Sequence, residues 1–451
     1  MDKTDVLIIG GSAAGLVSAM TAKTNNPDKR VMMVRREEKV MIPCGIPYIF
    51  GSLGSSDKNI LPDEGLLKLG VEIKIDTIAS IEKDDKYCKT VKGEIIYYEK
   101  LVIATGSLPI KPRRIKGTEL ENVFTIPKDK VYLDDLKKNI EEYQDIVIIG
   151  AGFIGVEMSD EINKMGKNVT LVELLPRILG IAFDEEIAAD AERKLIERGI
   201  KVFTGSGLEE IQGDKKAEGV KLCSGQEIKA DIVMLSMGYC PNTELALNAG
   251  IKVNEKGFIT VDEYMRTSEA DIFAVGDCAS KRDFATGKLS TTMLASTACA
   301  EARVAGLNLF SLSTFRTFRG TIGIYSTNIG DSSYGVAGLT EEIALKEGFN
   351  VVTGIFEGID RHPGKLANAH KQVVKIIVSR DSGRILGGEV IGGNSVGELI
   401  NVIGFVVQGG LTLTELLVAQ IGTQPMLTAS PAAYPLIKAG EAVLKKLGSR
   451  G

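Results

Sequence analysis

Residues 145–155 hold the feature that most restricts how this chain can fold. The apolar run before Gly150 predicts a buried parallel strand, and Gly150, Gly152 and Gly155 then lead into a helical stretch. A glycine turn between a strand and a helix points the first N–H groups of the helix at a pyrophosphate. The sequence therefore predicts a parallel α/β domain that binds a dinucleotide.

An acidic residue completes this motif. The strand predicted at 168–172 is followed by Glu173, which lies about twenty residues after the glycines, as ribose recognition requires. A carboxylate there accepts hydrogen bonds from a free 2′-OH and repels a 2′-phosphate. We therefore expect NADH to be preferred over NADPH.

A weaker copy of the pattern opens the chain. Gly10, Ser12, Ala14 and Gly15 follow an apolar strand and precede a helix, with Ser12 at the position of the expected second glycine. The next strand ends in Arg35 instead of an acid. Two dinucleotide folds imply two dinucleotides, and transfer of hydride between a nicotinamide and a flavin is the simplest reason to hold both.

The second half of the chain contains another candidate ligand-binding strand end, followed by a change in the hydrophobic pattern. Asp277 follows the apolar strand 271–275, where it can bind ligand hydroxyls at the edge of a sheet or cap the next helix. Short alternating strands at 372–378 and 385–391 and an apolar helix at 396–407 come after about residue 315. They predict an antiparallel α+β domain.

Cys44 lies among the Gly and Pro residues of 41–48, which force a turn. A thiolate near the N-terminus of a short helix is stabilised by unpaired N–H groups, so a thiol that ionises near neutral pH is one interpretation. A buried structural cysteine is the other. The six cysteines are widely spaced and form no Cys-x-x-Cys pair, which argues against a zinc site or a disulfide scaffold.

Length and composition narrow the class of protein. With 451 residues the chain should form two or three domains, and a net charge of −5 gives no reason to expect nucleic acid as a partner. No apolar run reaches membrane-spanning length and no signal peptide is apparent, so a cytoplasmic enzyme is expected. Since the chain contains only two histidines, a metal site built from histidines is not expected, and no metal site is predicted.

Together, the two glycine motifs, residues 101–106 and 275–277 and the C-terminal domain resemble the flavoprotein disulfide reductases that bind two dinucleotides. Residues 43–48 resemble the single-cysteine branch, which contains coenzyme A disulfide reductases, NADH-dependent persulfide or polysulfide reductases, and NADH oxidases or peroxidases. Lys39 and Ile49 occupy the positions where two-cysteine relatives carry a partner for Cys44.

The resemblance implies an α/β fold with two Rossmann-like dinucleotide-binding domains, as in glutathione reductase, and a C-terminal α+β dimerisation domain. Residues 1–115 and 245–314 would form a discontinuous FAD-binding domain. Residues 116–244 would bind NADH, and residues 315–451 would form the dimerisation domain of a homodimer or tetramer. No rhodanese-type domain is expected after it.

The resemblance also assigns cofactor contacts. Phe153 would shield the flavin and swing aside for the nicotinamide, Glu157 would lie near that pocket, and Thr297 would lie at the pyrimidine side of the flavin. Arg35 stands where most relatives have a ribose-binding Glu. The expected cofactor-binding residues are Gly10, Ser12, Ala14, Gly15, Arg35, Thr105, Gly106, Asp277 and Thr297 for FAD, and Gly150, Gly152, Phe153, Ile154, Gly155, Glu157, Glu173 and Gly238 around NADH.

Cys44 would be the catalytic nucleophile, with Tyr434 and His362 as candidates to reach it across a dimer and protonate the departing thiolate. An exposed loop histidine is the alternative for His362. Arg361-His362 replaces a pair of tyrosines of related enzymes, which leaves the choice of sulfur substrate open. Coenzyme A contacts are expected from Lys23, Tyr48 and Arg361, although solvated charges are the alternative for Lys23.

The predicted function is FAD- and NADH-dependent reduction of sulfur–sulfur bonds through Cys44, with coenzyme A persulfide, polysulfide or coenzyme A disulfide as the small-molecule substrate. One alternative is an NADH oxidase or peroxidase that uses a Cys44 sulfenic acid. A second alternative, of another class, is a non-catalytic flavoprotein that senses NADH.

Overall fold

The computed structural model describes residues 2–448, so the predicted domain ends at Met1 and Gly451 lie outside the described residues. The first sheet has the order β3-β2-β1-β6-β5-β4; β1, β2, β3 and β6 are parallel, and β4 and β5 form an antiparallel extension. The elements of this region are β1 (Asp2–Ile9), α1 (Ala13–Asn25), β2 (Val31–Arg35), α2 (Glu64–Lys68), β3 (Glu72–Ile75), β4 (Ile78–Glu82), β5 (Tyr87–Thr90), β6 (Ile95–Ile103) and β7 (Ser107–Pro109).

The middle of the chain builds a second parallel sheet, in the order β11-β10-β9-β15-β8. A small antiparallel sheet of β12, β13 and β14 accompanies it, and β16 pairs with β7. The elements are β8 (Val123–Thr125), α3 (Lys130–Glu142), β9 (Asp145–Ile149), α4 (Phe153–Asn163), β10 (Asn168–Val172), α5 (Glu185–Glu197), β11 (Lys201–Phe203), β12 (Leu208–Gln212), β13 (Gly219–Leu222), β14 (Glu227–Lys229), β15 (Ile232–Leu235), β16 (Tyr239–Pro241) and α6 (Glu244–Asn248).

The chain then returns to the first sheet, because β17 pairs in parallel with β6. This return is the discontinuous arrangement that the resemblance implied, although the domain boundaries themselves stay predictions. The elements of this segment are β17 (Ile272–Ala274), β18 (Lys281–Arg282), β19 (Leu289–Ser290) and α7 (Ala295–Asn308).

The last region is an antiparallel five-stranded sheet, ordered β20-β21-β24-β23-β22, with α9 and α11 packed against it. The two predicted strands and the predicted apolar helix correspond to β23, β24 and α9. The elements are β20 (Ile324–Ile329), β21 (Ser332–Gly338), α8 (Glu341–Lys346), β22 (Val351–Ile359), β23 (Lys371–Ser379), β24 (Ile385–Gly392), α9 (Val396–Gly409), α10 (Leu413–Leu417) and α11 (Pro435–Gly448).

The second parallel sheet and the C-terminal sheet share one apolar core. Ile329, Tyr334 and Val336 of β20 and β21 are buried in the same cluster as Val156 of α4 and Ile187 of α5. Burial of apolar surface between these elements fixes the C-terminal sheet against the two helices. Across residues 2–448, none of the helices has the length and apolar character needed to cross a membrane.

Candidate active site

The turn between β1 and α1 leaves free hydrogen-bond donors. Gly10 has φ +110°, and a Cβ there would meet the carbonyl oxygen of Ala104 at 2.3 Å, so a side chain does not fit. Within residues 2–448, no acceptor takes a hydrogen bond from the N–H groups of Ala13, Ala14 or Gly15. These donors and the positive end of the α1 dipole form a site for an anion such as a pyrophosphate.

Arg35, at the end of β2, is held by the protein itself. Its guanidinium makes two hydrogen bonds of 2.6 Å to the carboxylate of Asp63 and also donates to the carbonyls of Glu37 and Glu38. Its stem borders the turn, since a Cβ on Gly11 would meet the Arg35 Cδ at 2.4 Å. With these donors engaged, a role in binding the FAD ribose stays a prediction.

Asp277 lies just beyond β17, at the carboxyl edge of the first sheet. Its Oδ2 accepts hydrogen bonds from Ser107 Oγ at 2.7 Å and Lys128 Nζ at 2.9 Å. Burial alone would raise the pKa of Asp277, but Lys128 and Ser107 hold it below its ordinary value. Asp277 does not cap the 3₁₀ helix Gly276–Cys278, and its Oδ1 accepts no hydrogen bond from residues 2–448. That oxygen is available to a ligand hydroxyl.

Thr105 and Thr297 both use their hydroxyl groups within the protein. Thr105 Oγ1 donates to the carbonyl of Asn242 at 2.6 Å, and Thr297 Oγ1 lies 2.7 Å from Thr321 Oγ1. Gly106 has φ +70° and no atom within 4 Å of where a Cβ would lie. The strand end beside Gly106 is therefore open enough for a flat ring to approach the backbone.

The turn between β9 and α4 repeats the geometry of the first turn. A Cβ at Gly155 would meet the Gly150 carbonyl oxygen at 1.9 Å, so the helix packs tightly on the turn. A Cβ at Gly152 would meet nothing within 4 Å. In the described part of the chain the N–H groups of Phe153 and Ile154 have no acceptor. This turn therefore offers a second set of donors of the kind that binds a dinucleotide phosphate.

Glu173 contacts the second turn directly, which the sequence did not predict. Its Oε2 accepts the N–H of Ala151 at 2.6 Å and its Oε1 accepts the N–H of Leu175 at 2.9 Å. Each carboxylate oxygen has a further lone pair, so ribose hydroxyls can still be accepted. Gly238, the remaining predicted contact, follows β15 with φ +95° and lies within 4 Å of Ile110.

Cys44 is exposed and lies in the 3₁₀ helix Pro43–Gly45, which a second 3₁₀ turn follows. Partial desolvation raises the pKa of Cys44, and the charge of Glu157 raises it further, which opposes the interpretation of a thiol that ionises near neutral pH. The positive charge of Lys128 acts in the opposite direction. Two single 3₁₀ turns are too short to supply the dipole expected at a helix N-terminus.

Glu157, on α4, is a half-buried carboxyl group whose charge acts on Cys44. Thr327 Oγ1 donates a hydrogen bond to it at 2.9 Å, and the Tyr48 phenol supplies another. Burial raises the pKa of Glu157 to about 7 despite these two donors. Burial and the Glu157 charge raise the pKa of Tyr48, so this phenol stays protonated beside Cys44.

Phe153, the predicted shield of the flavin, lies in an aromatic cluster. Its ring stacks on Tyr325 of β20, with centroids 5.0 Å apart and planes 13° from parallel, and tilts against Phe183 at 6.0 Å. The C-terminal sheet therefore contributes directly to the position of Phe153, through Tyr325, as it does to that of Glu157, through Thr327.

The predicted coenzyme A contacts Lys23 and Arg361 are tied to their own surroundings. Lys23 Nζ donates to the carbonyls of Pro27 and Lys29, both at 2.8 Å. Arg361 lies 3.2 Å from the Asp360 carboxylate. Both side chains would have to exchange these partners for a phosphate, so their role in binding coenzyme A stays a prediction.

His362 and Tyr434, the predicted proton donors, do not contact Cys44 within one chain. His362 Nδ1 lies 2.9 Å from the carbonyl of Thr428, and Tyr434 packs against the C-terminal core. Burial raises the pKa of Tyr434. Their catalytic role depends on a second copy of the chain and stays a prediction.

The sequence did not predict four residues of the site, namely Lys128, Ser107, Thr327 and Tyr325. The place of Lys128 in the site could have been predicted, because Lys128 follows β8 and so lies near the carboxyl edge of a parallel sheet, where ligands bind. Ser107 lies next to the predicted Gly106. No sequence pattern indicates the roles of Thr327 and Tyr325, since their contacts with α4 cross from one domain to another.

The residues present fit two dinucleotides. Free N–H groups lie at the N-termini of α1 and α4, and Cβ positions are open at Gly106 and Gly152. The unpaired Asp277 oxygen adds an acceptor at the first site. Donors of this kind match phosphate groups, and the carboxylate matches sugar or ribityl hydroxyls.

Comparison with known families gave two matches. Residues 4–302 match the pyridine nucleotide-disulphide oxidoreductase family, and residues 325–433 match the dimerisation domain of that family. The two segments together span most of the chain.

Individual proteins match over nearly their whole length. A NAD(P)H coenzyme A polysulfide/persulfide reductase from Pyrococcus horikoshii is 32% identical over 445 residues, which is 96% of this chain and 97% of that protein. An NADH oxidase from Methanocaldococcus jannaschii is 30% identical, covering 98% and 99%. The structure of a NAD-dependent persulfide reductase from A. fulgidus superposes with a TM-score of 0.91 at 31% identity, over 99% of this chain and 84% of the other.

Proposed function

Since this chain belongs to the pyridine nucleotide-disulphide oxidoreductases, FAD-dependent enzymes that use NAD(P)H, we propose that it reduces sulfur–sulfur bonds with NADH through Cys44. Membership makes the protein an oxidoreductase, so the alternative of a non-catalytic NADH sensor is not retained. The dimerisation domain supports assembly with further copies of the chain, and we propose a homodimer.

One observation carries the proposal: Cys44 is an exposed thiol under the influence of both nucleotide sites. Glu157 comes from α4, which follows the second glycine turn, and Lys128 follows β8 of the second sheet, whereas Asp277 lies at the edge of the first sheet. All three groups act electrostatically on the Cys44 sulfur. A thiol at this junction is suited to exchange electrons between a reduced cofactor and an external sulfur compound.

In the proposed reaction, the Cys44 thiolate attacks one sulfur of the substrate's S–S bond. A bond from Cys44 to that sulfur forms as the substrate bond breaks, and the departing thiolate or hydrosulfide takes up one proton. FAD, when bound, would supply an electron pair derived from the hydride of NADH. That pair would break the S–S bond between Cys44 and the retained substrate sulfur, so that the Cys44 thiolate is restored and the substrate sulfur leaves as a second thiolate or hydrosulfide. Lys128 favours the thiolate because its positive charge lowers the pKa of Cys44.

Glu157 is suited to supply the proton that the departing thiolate or hydrosulfide takes up. Burial places its pKa at about 7, so a fraction of the molecules holds a proton there at neutral pH. The Tyr48 phenol hydrogen-bonds to Glu157, and the charge of Cys44 contributes to raising the pKa of this phenol. Tyr48 therefore offers a path for the proton from the Glu157 carboxyl group toward Cys44. His362 or Tyr434 of a second copy would serve as an additional donor.

The substrate would be a small sulfur compound, either a polysulfide or a persulfide or disulfide of coenzyme A. The printed name of the Pyrococcus relative, a coenzyme A polysulfide/persulfide reductase, supports this choice. Oxygen is the competing acceptor, because the Methanocaldococcus relative is an NADH oxidase and Cys44 is exposed enough to form a sulfenic acid.

The test is NADH turnover with coenzyme A persulfide, coenzyme A disulfide, polysulfide, oxygen and peroxide, measured side by side with the FAD-loaded enzyme. Cys44→Ser should lower turnover with the preferred sulfur compound by at least about 10³-fold, because the nucleophile is lost. Cys223→Ser is the matched control, since Cys223 is also exposed but lies in the second parallel domain away from these charges.

Two outcomes would contradict the proposal. Full activity of Cys44→Ser toward sulfur compounds would remove Cys44 from the reaction. Faster turnover with oxygen or peroxide than with every sulfur compound would instead support the oxidase or peroxidase alternative.

A further inference from the structure

Two oppositely charged side chains are buried behind Asp277. Lys281 on β18 is 1% exposed and Glu301 on α7 is 0% exposed, and their Nζ and Oε1 atoms lie 3.7 Å apart. No hydrogen-bond partner reaches Glu301 Oε1 within the described residues. The pair is therefore fully desolvated without making a direct hydrogen bond.

Both side chains hold the same short piece of backbone instead. Glu301 Oε2 accepts the N–H of Gly276 at 2.7 Å, while Lys281 Nζ donates to the carbonyls of Gly276 at 3.1 Å and Ala279 at 2.8 Å. Asp277 lies inside this Gly276–Ala279 turn. The donor and the acceptor of Gly276 are thus each fixed by a buried charged group.

The turn also packs against the first glycine motif. Gly276 has φ +78°, and a Cβ there would meet the Cβ of Ala14 at 2.9 Å. A shift of the turn would therefore move Asp277 relative to the N-terminus of α1, where the free N–H groups lie.

Stability alone does not account for this arrangement. Taking two charges out of water costs several kcal/mol for each ion, and well-packed apolar residues are often as stable as a buried ion pair. The contacts of Lys281 and Glu301 go to the Asp277 turn, so precise placement of that turn is the benefit that these charges can provide.

We propose that Glu301 and Lys281 are positioning residues for FAD, fixing the Gly276–Ala279 turn so that the free oxygen of Asp277 meets the ribityl hydroxyls. This inference rests on the proposed contact between Asp277 and FAD. Neither side chain would touch the cofactor, since both act through the backbone of the turn.

The experiment is FAD binding to the apo-protein, without NADH or a sulfur compound, so the result does not depend on the proposed sulfur chemistry. Asp277→Ala, Glu301→Gln, Lys281→Met and the double variant Glu301→Met/Lys281→Met are compared by flavin fluorescence, by the visible circular dichroism of bound FAD and by thermal unfolding. Lys375→Met is the matched control, since Lys375 is another buried lysine among carboxylates, in the C-terminal sheet.

We expect each substitution at Asp277, Glu301 or Lys281 to raise the Kd for FAD at least tenfold and to change the dichroism of the bound flavin. The double variant should recover thermal stability, since no buried charge is left unpaired, but should keep the raised Kd. Lys375→Met should lower the unfolding temperature without changing the Kd.

A wild-type Kd and dichroism spectrum in the double variant would overturn the proposal, even if the single variants fail to fold. An unchanged Kd in Asp277→Ala would overturn both the contact of Asp277 with FAD and the role of the pair. Loss of FAD binding in Lys375→Met to the same extent would show that general destabilisation is the cause, which also overturns it.

Discussion

At the residue scale, the charges around Cys44 determine how much of its reactive thiolate is present. The charge of Glu157 raises the pKa of the thiol, and the charge of Lys128 lowers it. The protein around them screens both charges less than bulk water would. The protonation state of Glu157, whose pKa is about 7, thus adjusts the reactivity of Cys44 near neutral pH.

Neutralising Glu157 should make Cys44 ionise more readily. In Glu157→Gln the pH midpoint for alkylation of Cys44 by iodoacetamide should fall by roughly one unit, since a nearby negative charge is removed. The opposite shift is expected in Lys128→Met. Identical midpoints in the wild type and both variants would show that neither charge reaches the sulfur; Cys44→Ser identifies the signal that belongs to Cys44.

Glu173 holds the second glycine turn through two hydrogen bonds, and we propose that it also recognises the ribose of NADH. Glu173→Ala should raise the KM for NADH about tenfold and abolish most of the preference over NADPH, through loss of two charge-assisted hydrogen bonds and of the repulsion of a 2′-phosphate. Steady-state kinetics with both nucleotides provide the measurement. Glu218→Ala, an exposed change in the same domain, is the control. An unchanged NADH/NADPH ratio would refute the assignment.

At the scale of elements, a buried ionic cluster joins α5 to α8, β23 and β24. Asp184 accepts the N–H groups of Glu341 and Glu342, so it caps α8 across the domain boundary, and Lys375 Nζ lies 2.7 Å from its carboxylate. The carboxylate oxygens of Asp184, Glu186 and Glu389 lie within 4.8 Å of one another. The Lys375 ammonium takes the place that a cation would have among them.

Glu389 makes this cluster sensitive to pH. Burial, followed by the charge of Asp184, raises its pKa from 4.5 to about 9, so the folded protein keeps a proton that the unfolded chain loses. That stabilisation is complete below the unfolded pKa and is lost as the pH rises through the folded value. The unfolding temperature of the wild type should therefore fall relative to Glu389→Gln between about pH 4.5 and pH 9.

Thermal unfolding across this pH range tests the prediction. Glu398→Gln, which alters a carboxylate outside the cluster on α9, should follow the wild type. If the unfolding temperatures of the wild type and of Glu389→Gln change in parallel with pH, Glu389 is ionised over the whole pH range and the prediction is wrong.

At the scale of the whole molecule, the C-terminal domain has exposed apolar side chains that suit contact with a second copy. Phe405 on α9 is 72% exposed, and Val418 and Leu427 are 76% and 66% exposed. All three lie within the residues that match the dimerisation domain. A second copy is the occupant that this match favours.

Phe405→Glu should weaken the homodimer at least about 100-fold, because a charge would be placed at an apolar contact. Sedimentation velocity of the FAD-loaded protein measures the change, and Leu444→Glu on α11, outside the matched segment, is the control. If Tyr434 and His362 act across the dimer, turnover of sulfur compounds should fall together with dimerisation. An unchanged dimer would place the interface elsewhere.

The local parts of the site could be predicted because each lies within one short stretch. The glycine turns, Glu173 and Asp277 follow from the strand–turn–helix pattern, in which spacing along the chain fixes spacing in the fold. The pKa of Cys44 could not be predicted from its own turn, because it depends on Glu157 and Lys128, more than eighty residues away in the sequence. Electrostatic contacts at that separation have no local signature.

What the sequence alone determined is the fold class, with its Rossmann-like sheets and antiparallel C-terminal region, and the two glycine turns after strands, because hydrophobic periodicity and glycine spacing act locally. Only the tertiary structure decided which charges surround that cysteine, that Arg35 is held by Asp63, and that Phe153 and Glu157 rest on the C-terminal sheet. It also decided that Glu301 and Lys281 meet at the Asp277 turn. The physical reason is that burial and charge pairing are properties of the packed core, where residues distant in sequence share one low-dielectric environment.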